Sequence, residues 1–497
     1  MKTILVKKLA AALVMLTILC TGANSGAAQT APKGIVIKGK APVSKELLRV
    51  KLPKAQEAVL PNGLRVVLLE NHKTPTFSMR MVVLGGGLSD PSSAPRTAIF
   101  TAALLREGTI KRTSREIAEQ SESLGATIDV DTRGSLLNFT SSVNVAGLSE
   151  NFDQTLDIFA DVVRNPAFPA EEVEKYKQRI IAQLESERAI PSQIAYERIH
   201  NSVYSEHPPV AGSISTESVQ AMMPLTLKQF YQTYYRPNNA ILAVTGDITM
   251  KELMPKLEKS FGGWQLASVP AVKIPPVVPP RKPGVFLIDR PGSVQTSLAL
   301  GSFGIKRDSP DYFAVLVMNQ ILGATSQARL FTNLREDKGY TFGAFSSFSG
   351  SKYPGFIMLS SEVRTGVTEG ALKEFMYEIR RIRDEKVPAD ELENAKRSLV
   401  GGFALSLERP RELLSNIVTQ KLYGFPASYW DDYPQQVAEV TAEDVQLVAR
   451  KYLDLSRIQI AAVGDAAKIR AILAAYGNVE QYDSEGKIIN PTIKAKP

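Results

Sequence analysis

Metal-assisted hydrolysis and thiol chemistry draw on histidine and cysteine, and this chain of 497 residues holds three of the first and one of the second. His72, His200 and His207 have no ligand spacing between them, and no H-E-x-x-H segment occurs. That pattern would place two imidazoles one turn apart on a helix with a general base beside them. Cys20 alone excludes an internal disulfide framework and any cysteine-based zinc cluster. His72 sits in the polar turn Asn71-His72-Lys73 and His207 precedes Pro208-Pro209, so both read as surface residues. On residue types alone, the chain carries no metal centre of its own.

The rest of the composition narrows the class. With 44% hydrophobic and 22% charged residues the chain is globular. Its 59 basic and 51 acidic residues give a formal charge of +8 with no block of like charges, which offers nucleic-acid binding no support. Lys2, Lys7 and Lys8 precede an uncharged apolar run from Leu9 to Cys20, and Gly22, Ala23, Ser25, Gly26, Ala27 and Ala28 follow. A basic start, a short apolar run and a small-residue end predict a signal peptide over 1–28, cut after Ala28. A lipoprotein with Cys20 as its first residue is the rival reading, disfavoured because Leu19 is large for that signal. No later apolar stretch reaches 18 residues, so an exported protein, periplasmic or secreted, without a transmembrane anchor is expected.

The chain is written twice. Pro169-Ala170-Glu171-Glu172-Val173-Glu174 returns as Pro388-Ala389-Asp390-Glu391-Leu392-Glu393, and Pro191 returns as Pro410, both 219 residues on. Ile241 to Asp247 is answered by Ile460 to Asp465, ending at an offset of 218. One register held over that distance means a duplicated domain. The expected organisation is an N-terminal extension 29–49, a first domain 50–268, a proline-rich linker 269–283, a second domain 284–480 and a polar tail 481–497. Short β-rich runs are read at Gly63–Leu69 and Phe77–Leu84, and helical spacing at Ala98–Arg106. Alternation follows near Ser135–Val143. An amphipathic helix is read over Pro169–Arg188, its stripe Val173, Tyr176, Ile180, Ile181 and Leu184. Strands and helices mix without strict alternation, which predicts an α+β fold of two homologous domains.

Several segments together resemble one family. They are Leu60-Pro61-Asn62-Gly63-Leu64-Arg65-Val66, the His207-Pro208 loop, Phe230 to Ala240 with its Tyr235-Arg236-Pro237-Asn238-Asn239 core, and the Val244-Thr245-Gly246-Asp247 turn. Later come Leu322-Gly323, Ala328-Arg329-Leu330-Phe331 and Leu334 to Gly343. In this order, over about Ala58 to Ala475, they are similar to the pitrilysin or insulinase-type zinc peptidases. The resemblance implies two mainly antiparallel sheets packed with helices that form a clamshell chamber, where unfolded peptides add a strand to a sheet edge.

The family's chemistry does not come with it. Active members resemble H-x-x-E-H shortly before a Gly-Thr pair, with a glutamate on a following helix as third ligand. Counted back from Gly108-Thr109, those positions are Ile99, Ala102 and Ala103, and the third aligns best with Gln183. None of these is a zinc ligand or a base. The family also places an arginine and, seven residues later, a tyrosine against the scissile carbonyl. Arg335 matches the arginine, and Phe342 stands where the tyrosine hydroxyl would be. Tyr340, two residues earlier, would share the face of Phe342 on an extended segment. These features predict a chain inactive alone and holding no cofactor, zinc being expected only in a catalytic partner. The expected role is the non-catalytic subunit of an exported heterodimeric zinc metallopeptidase, binding peptide through Arg335, Phe342 and Tyr340. The alternative is a stand-alone peptide-binding or scaffold protein.

Overall fold

The segments Arg65–Glu70 and Ala240–Gly246 are apolar at successive positions rather than alternate ones. A strand written this way has to be buried on both faces, so a sheet built around it needs two covers. The computed structural model describes residues 50–130, 138–205, 215–272, 276, 278–483 and 486–490. The expected signal peptide 1–28, the whole of the N-terminal extension 29–49 and His207 lie outside them.

The first sheet is made of β1 (Gln56–Val59), β2 (Arg65–Glu70), β3 (Thr76–Val83), β4 (Thr127–Val130), β5 (Ser141–Leu148) and β6 (Ala240–Gly246), in the order β1-β2-β6-β3-β5-β4. Its helices are α1 (Thr97–Leu104), α2 (Phe152–Arg164), α3 (Ala170–Glu187), α4 (Pro191–Val203), α5 (Pro224–Tyr234) and α6 (Met250–Phe261). The second half repeats the series. Its strands are β7 (Gly284–Asp289), β8 (Gln295–Phe303), β9 (Thr341–Gly350), β10 (Pro354–Arg364) and β11 (Gln459–Gly464). Its helices are α7 (Tyr312–Leu322), α8 (Thr368–Asp384), α9 (Ala389–Ser406), α10 (Pro410–Tyr423), α11 (Ala442–Tyr452) and α12 (Ala466–Ala474). The order β2-β6-β3-β5-β4 recurs as β7-β11-β8-β10-β9, with β12 (Val479–Tyr482) and β13 (Ile488–Asn490) added beyond β7. Pairing is antiparallel except for β2 with β6, β7 with β11 and β7 with β12. The duplication read from the 219-residue offset is thus a repeated α+β topology. Of the alternation expected near Ser135–Val143, residues 135–137 lie outside the described residues, and the end of the segment falls in β5, which starts at Ser141.

Side-chain alternation then assigns the two covers. Val66 and Leu68 of β2, with Leu242 and Val244 of β6, face a core built from the first half's own helices. Val67, Leu69 and Ile241 point the other way and meet Leu413 and Ile417 of α10. Val82 and Ala243 meet Leu414 and Val418 of the same helix. The second sheet is treated reciprocally. Leu287, Leu300 and Ile460 face its own helices, whereas Ile288, Ala299, Ala461 and Val463 pack on Ala195, Ile199, Val203 and Tyr204 of α4 and the residue that caps it. The two helices that open on Pro191 and Pro410, each with proline in the first turn where its missing N–H costs nothing, are exchanged between halves. Gly301 of β8 permits the close approach, because a Cβ there would lie 2.2 Å from Ile199 Cγ2.

His200 lies in this exchange contact. Its ring centroid is 4.9 Å from that of Tyr204 and 5.8 Å from that of Phe356, and Tyr204 Oη donates to the Pro354 carbonyl at 3.0 Å. Burial, reinforced by the Arg96 charge and opposed by a hydrogen bond with Asn201, holds its pKa below the ordinary histidine range. The unfolded chain therefore takes up this proton more readily than the folded one. The stability tied to neutral His200 is complete above the unfolded pKa of about 6.5 and is lost as pH falls below it. Melting midpoints between pH 7 and 5 should accordingly fall less steeply for His200→Gln than for the parent chain. Parallel profiles would show that this ring does not titrate with unfolding.

Candidate functional site

α1 starts where Asp90 gathers the chain. Its carboxylate accepts the backbone N–H of Arg96 at 2.6 Å and that of Ala98 at 2.7 Å, and Arg96 takes a left-handed conformation at φ +73° to enter the helix. Phe100 then packs edge-on against Tyr176 of α3, the ring centroids 4.9 Å apart. This contact sets the two helices side by side with a cleft of about 470 Å³ between them, and Ile99, Ala103 and Gln183 all line it. Three of the four positions that align with a metal site therefore converge in space. Ala102 is buried at 1% exposure in the helix packing.

The residues present do not fit zinc. Ile99, Ala102 and Ala103 have no donor atom, and Gln183 Nε2 donates to Glu187 Oε1 at 2.8 Å. Ile180, one turn before Gln183, also lines the cleft and has no donor either. Ile180 and Leu184, read from sequence as core stripe, pack half-buried against the edge of that core and also form walls of the cleft. Of the carboxylates nearby, Glu107 accepts from Ser114 Oγ at 2.8 Å and lies 3.9 Å from the guanidinium nitrogens of both Arg106 and Arg179. Among the described residues no three His, Cys, Asp or Glu side chains are grouped to hold a metal ion.

A second groove, of about 580 Å³, runs between the N-terminal turn of α4 and the second sheet. Ser192, Gln193 and Tyr196 form one side, and Phe342, Phe345 and Met358 lie on the other. Phe342 is 82% exposed. Arg335 stands on a π-helical turn, Thr332–Asp337, a backbone form found often at functional sites. Its guanidinium carbon is 5.4 Å from the centre of the Phe342 ring, and its side chain is 41% exposed. The structure thus brings Arg335 and Phe342 together. Tyr340 goes elsewhere. It precedes β9 rather than lying on it, and its ring packs over Gly370 of α8, where an added Cβ would stand 2.9 Å from the hydroxyl. The left-handed Gly339 at φ +61° turns the chain just before it. The expectation that Tyr340 shares the face of Phe342 fails because the strand begins one residue too late.

Sequence reasoning also missed the arginines of the cleft. Arg96 and Arg106 line it from the two ends of α1 and Arg179 from α3, and no motif or spacing marks them. β4, with Asp129 and Val130 in the cleft wall, is the outermost strand of its sheet. No helix among the described residues is long and apolar enough to cross a membrane.

Comparison with known proteins gives one consistent result. The model for Insulinase (Peptidase family M16) matches residues 65–216, and that for the Peptidase M16 inactive domain matches residues 225–399. The uncharacterized zinc protease YmxG of Bacillus subtilis is 22% identical over 393 residues, spanning 78% of this chain and 93% of that protein. The probable mitochondrial-processing peptidase subunit beta of Arabidopsis thaliana is 21% identical over 430 residues, 83% of this chain and 78% of its own length. Among solved structures, a peptidase M16 inactive domain from Pseudomonas fluorescens superposes with a TM-score of 0.76 at 28% identity, covering 83% of this chain and 98% of that one. A protease from Helicobacter pylori shares the fold at a TM-score of 0.75 and 19% identity, over 83% of this chain and 100% of that one.

Proposed function

The chain belongs to the insulinase peptidase family, M16, and from that premise we propose that it is an exported, non-catalytic member that binds unfolded peptide and completes the active site of a zinc-bearing homologue. One observation carries the reading: the cleft between α1 and α3 has the right place in the fold and the wrong donor atoms, Ile99, Ala103 and Gln183. The outer edge of β4 supports the peptide half of it. An extended peptide that adds to this edge takes its backbone hydrogen bonds from the strand and passes the cleft wall at Asp129 and Val130. Arg335, held beside exposed Phe342, is the group offered to a substrate carbonyl. A second reading, a stand-alone peptide-binding or scaffold protein, is favoured by Phe342 itself, which has no hydroxyl to donate.

The test is biochemical reconstitution. The purified full-length chain should contain no stoichiometric zinc by elemental analysis and should hydrolyse no unstructured peptide. Mixed with a zinc-motif homologue from the same source, it should co-elute with it and raise peptide hydrolysis above that of the homologue alone. About one tightly held zinc per chain, or hydrolysis by the chain alone, would sink the non-catalytic reading. Failure to associate with any such homologue would leave the stand-alone reading.

A further inference from the structure

The cleft between α1 and α3 is lined by three arginines and three carboxylates, and one of the arginines is left without an acid of its own. Arg96, Arg106 and Arg179 line it together with Glu107, Asp129 and Glu187. Each acid has a partner: Glu107 lies 3.9 Å from both Arg106 and Arg179, Asp129 lies 3.8 Å from Arg411, and Glu187 accepts from Gln183. Arg96 differs. Its nearest charges are the carboxylates of Asp90, Glu197 and Glu187, yet among the described residues none forms an ion pair with it, and its Nε is buried without a hydrogen-bond partner. A buried guanidinium N–H without a partner is costly unless something else takes it. Burial holds its pKa below the usual arginine range.

The backbone adds a second cost. Arg96 is one of two non-glycine residues with positive φ among the described residues, and it sits at the entry of the helix that would carry the metal motif. Strain of this kind persists where the surrounding structure enforces it, and it gathers at ligand sites. Asp90 enforces it here by holding the N–H groups of Arg96 and Ala98.

We propose that this cleft binds a peptide carboxylate, with the Arg96 guanidinium as its anchor. The inference rests on the peptide-binding reading above and names the chemistry the cleft selects. A planar fork of N–H donors matches a carboxylate in two parallel hydrogen bonds, which a lone lysine does not reproduce. A volume of about 470 Å³ takes a peptide end or one acidic side chain with its neighbours. A peptide lying along the β4 edge would bring either group to the cleft.

The experiment is an anisotropy titration of the full chain with a labelled, unstructured Gly/Ser/Leu peptide in three forms. One has a free terminal carboxylate, one an amidated terminus, and one an amidated terminus with a central glutamate. The parent chain should bind a carboxylate-bearing form about tenfold to hundredfold more tightly than the neutral one, the range of a charge-assisted hydrogen bond. Which form gains tells whether the terminus or a side chain is read. Arg96→Gln should lose that preference, and Arg96→Lys should recover only part of it. Arg96→Gly guards against misfolding, since glycine adopts φ +73° freely and should melt no lower than the parent while losing the preference. Equal affinity of the parent for all three forms, or a preference that survives in Arg96→Gly, overturns the inference and leaves peptide binding intact. Absence of binding to every form overturns both.

Discussion

Replacing Arg335 with alanine is expected to lower the peptidase activity of the reconstituted complex by about tenfold to hundredfold while leaving assembly intact. A guanidinium that holds the substrate carbonyl contributes a charge-assisted hydrogen bond of about 1.5–3 kcal/mol, and about 1.4 kcal/mol is a decade in turnover efficiency. The geometry leaves this capacity free. Arg335 Nη1 makes only a long 3.4 Å bond to the Thr341 carbonyl, and Nε lies 3.7 Å from Glu336 Oε1, a pair exposed enough to give little. The Phe342 ring orients the guanidinium by a cation–π contact that at such an exposed site is worth roughly 0.5–1 kcal/mol. Phe342→Tyr adds a hydroxyl to a ring already 82% exposed, so nothing is overpacked and activity should be equal or higher. Both variants are read as kcat/KM on one unstructured peptide, with size-exclusion chromatography to verify assembly. An Arg335→Ala complex that assembles and turns over at the parental rate would make the scaffold reading the better one.

Ile199→Ala should destabilise the fold by about 2–5 kcal/mol, the usual range for truncating a fully buried isoleucine. The side chain is 0% exposed and presses against β8 at Gly301, so its truncation leaves a cavity in the packed contact. Because α4 comes from the first half and covers the second half's sheet, the loss falls on the contact that joins the halves. Urea unfolding should begin at lower denaturant and separate into two steps, with the second sheet's half released first. Leu405→Ala, at a residue 74% exposed, supplies the comparison and should stay within about 0.5 kcal/mol of the parent. An Ile199→Ala chain that unfolds in one step at the parental midpoint would mean that the exchanged helix does not hold the halves together.

The candidate site was legible in part, and the parts follow from how far each signal reaches. Ile99 and Ala103 were found because a motif written on one helix keeps its spacing when its ligands are lost, and Gln183 because it aligns with the family's third ligand on a following helix. The same is true of Arg335 and Phe342, seven residues apart on one segment. Tyr340 was misplaced because a strand's first residue depends on a turn, here at Gly339, and period-two alternation does not mark where it begins. Arg96 and Arg106, at the two ends of α1, and Arg179 on α3 have no pattern linking them, so their meeting was invisible before the fold was known.

By itself the sequence determined that the domain is duplicated, that each copy is α+β, and that Ile99, Ala102, Ala103 and Gln183 stand where the family's zinc ligands and base would. Those conclusions rest on identity, order and short-range periodicity, which survive without coordinates. It also showed, in the continuous apolar runs of Arg65–Glu70 and Ala240–Gly246, that the central strands are buried on both faces. Only the tertiary structure decided what buries them. Hydrophobic pattern states that a face needs a cover, but it is non-directional and names no partner. The helices at Pro191 and Pro410 are similar in each copy, and nothing local distinguishes docking on their own sheet from docking on the other. Contacts such as Tyr204 with Pro354, 150 residues apart, and Ile199 against Gly301 settle it, because they form only when each helix docks on the other half's sheet.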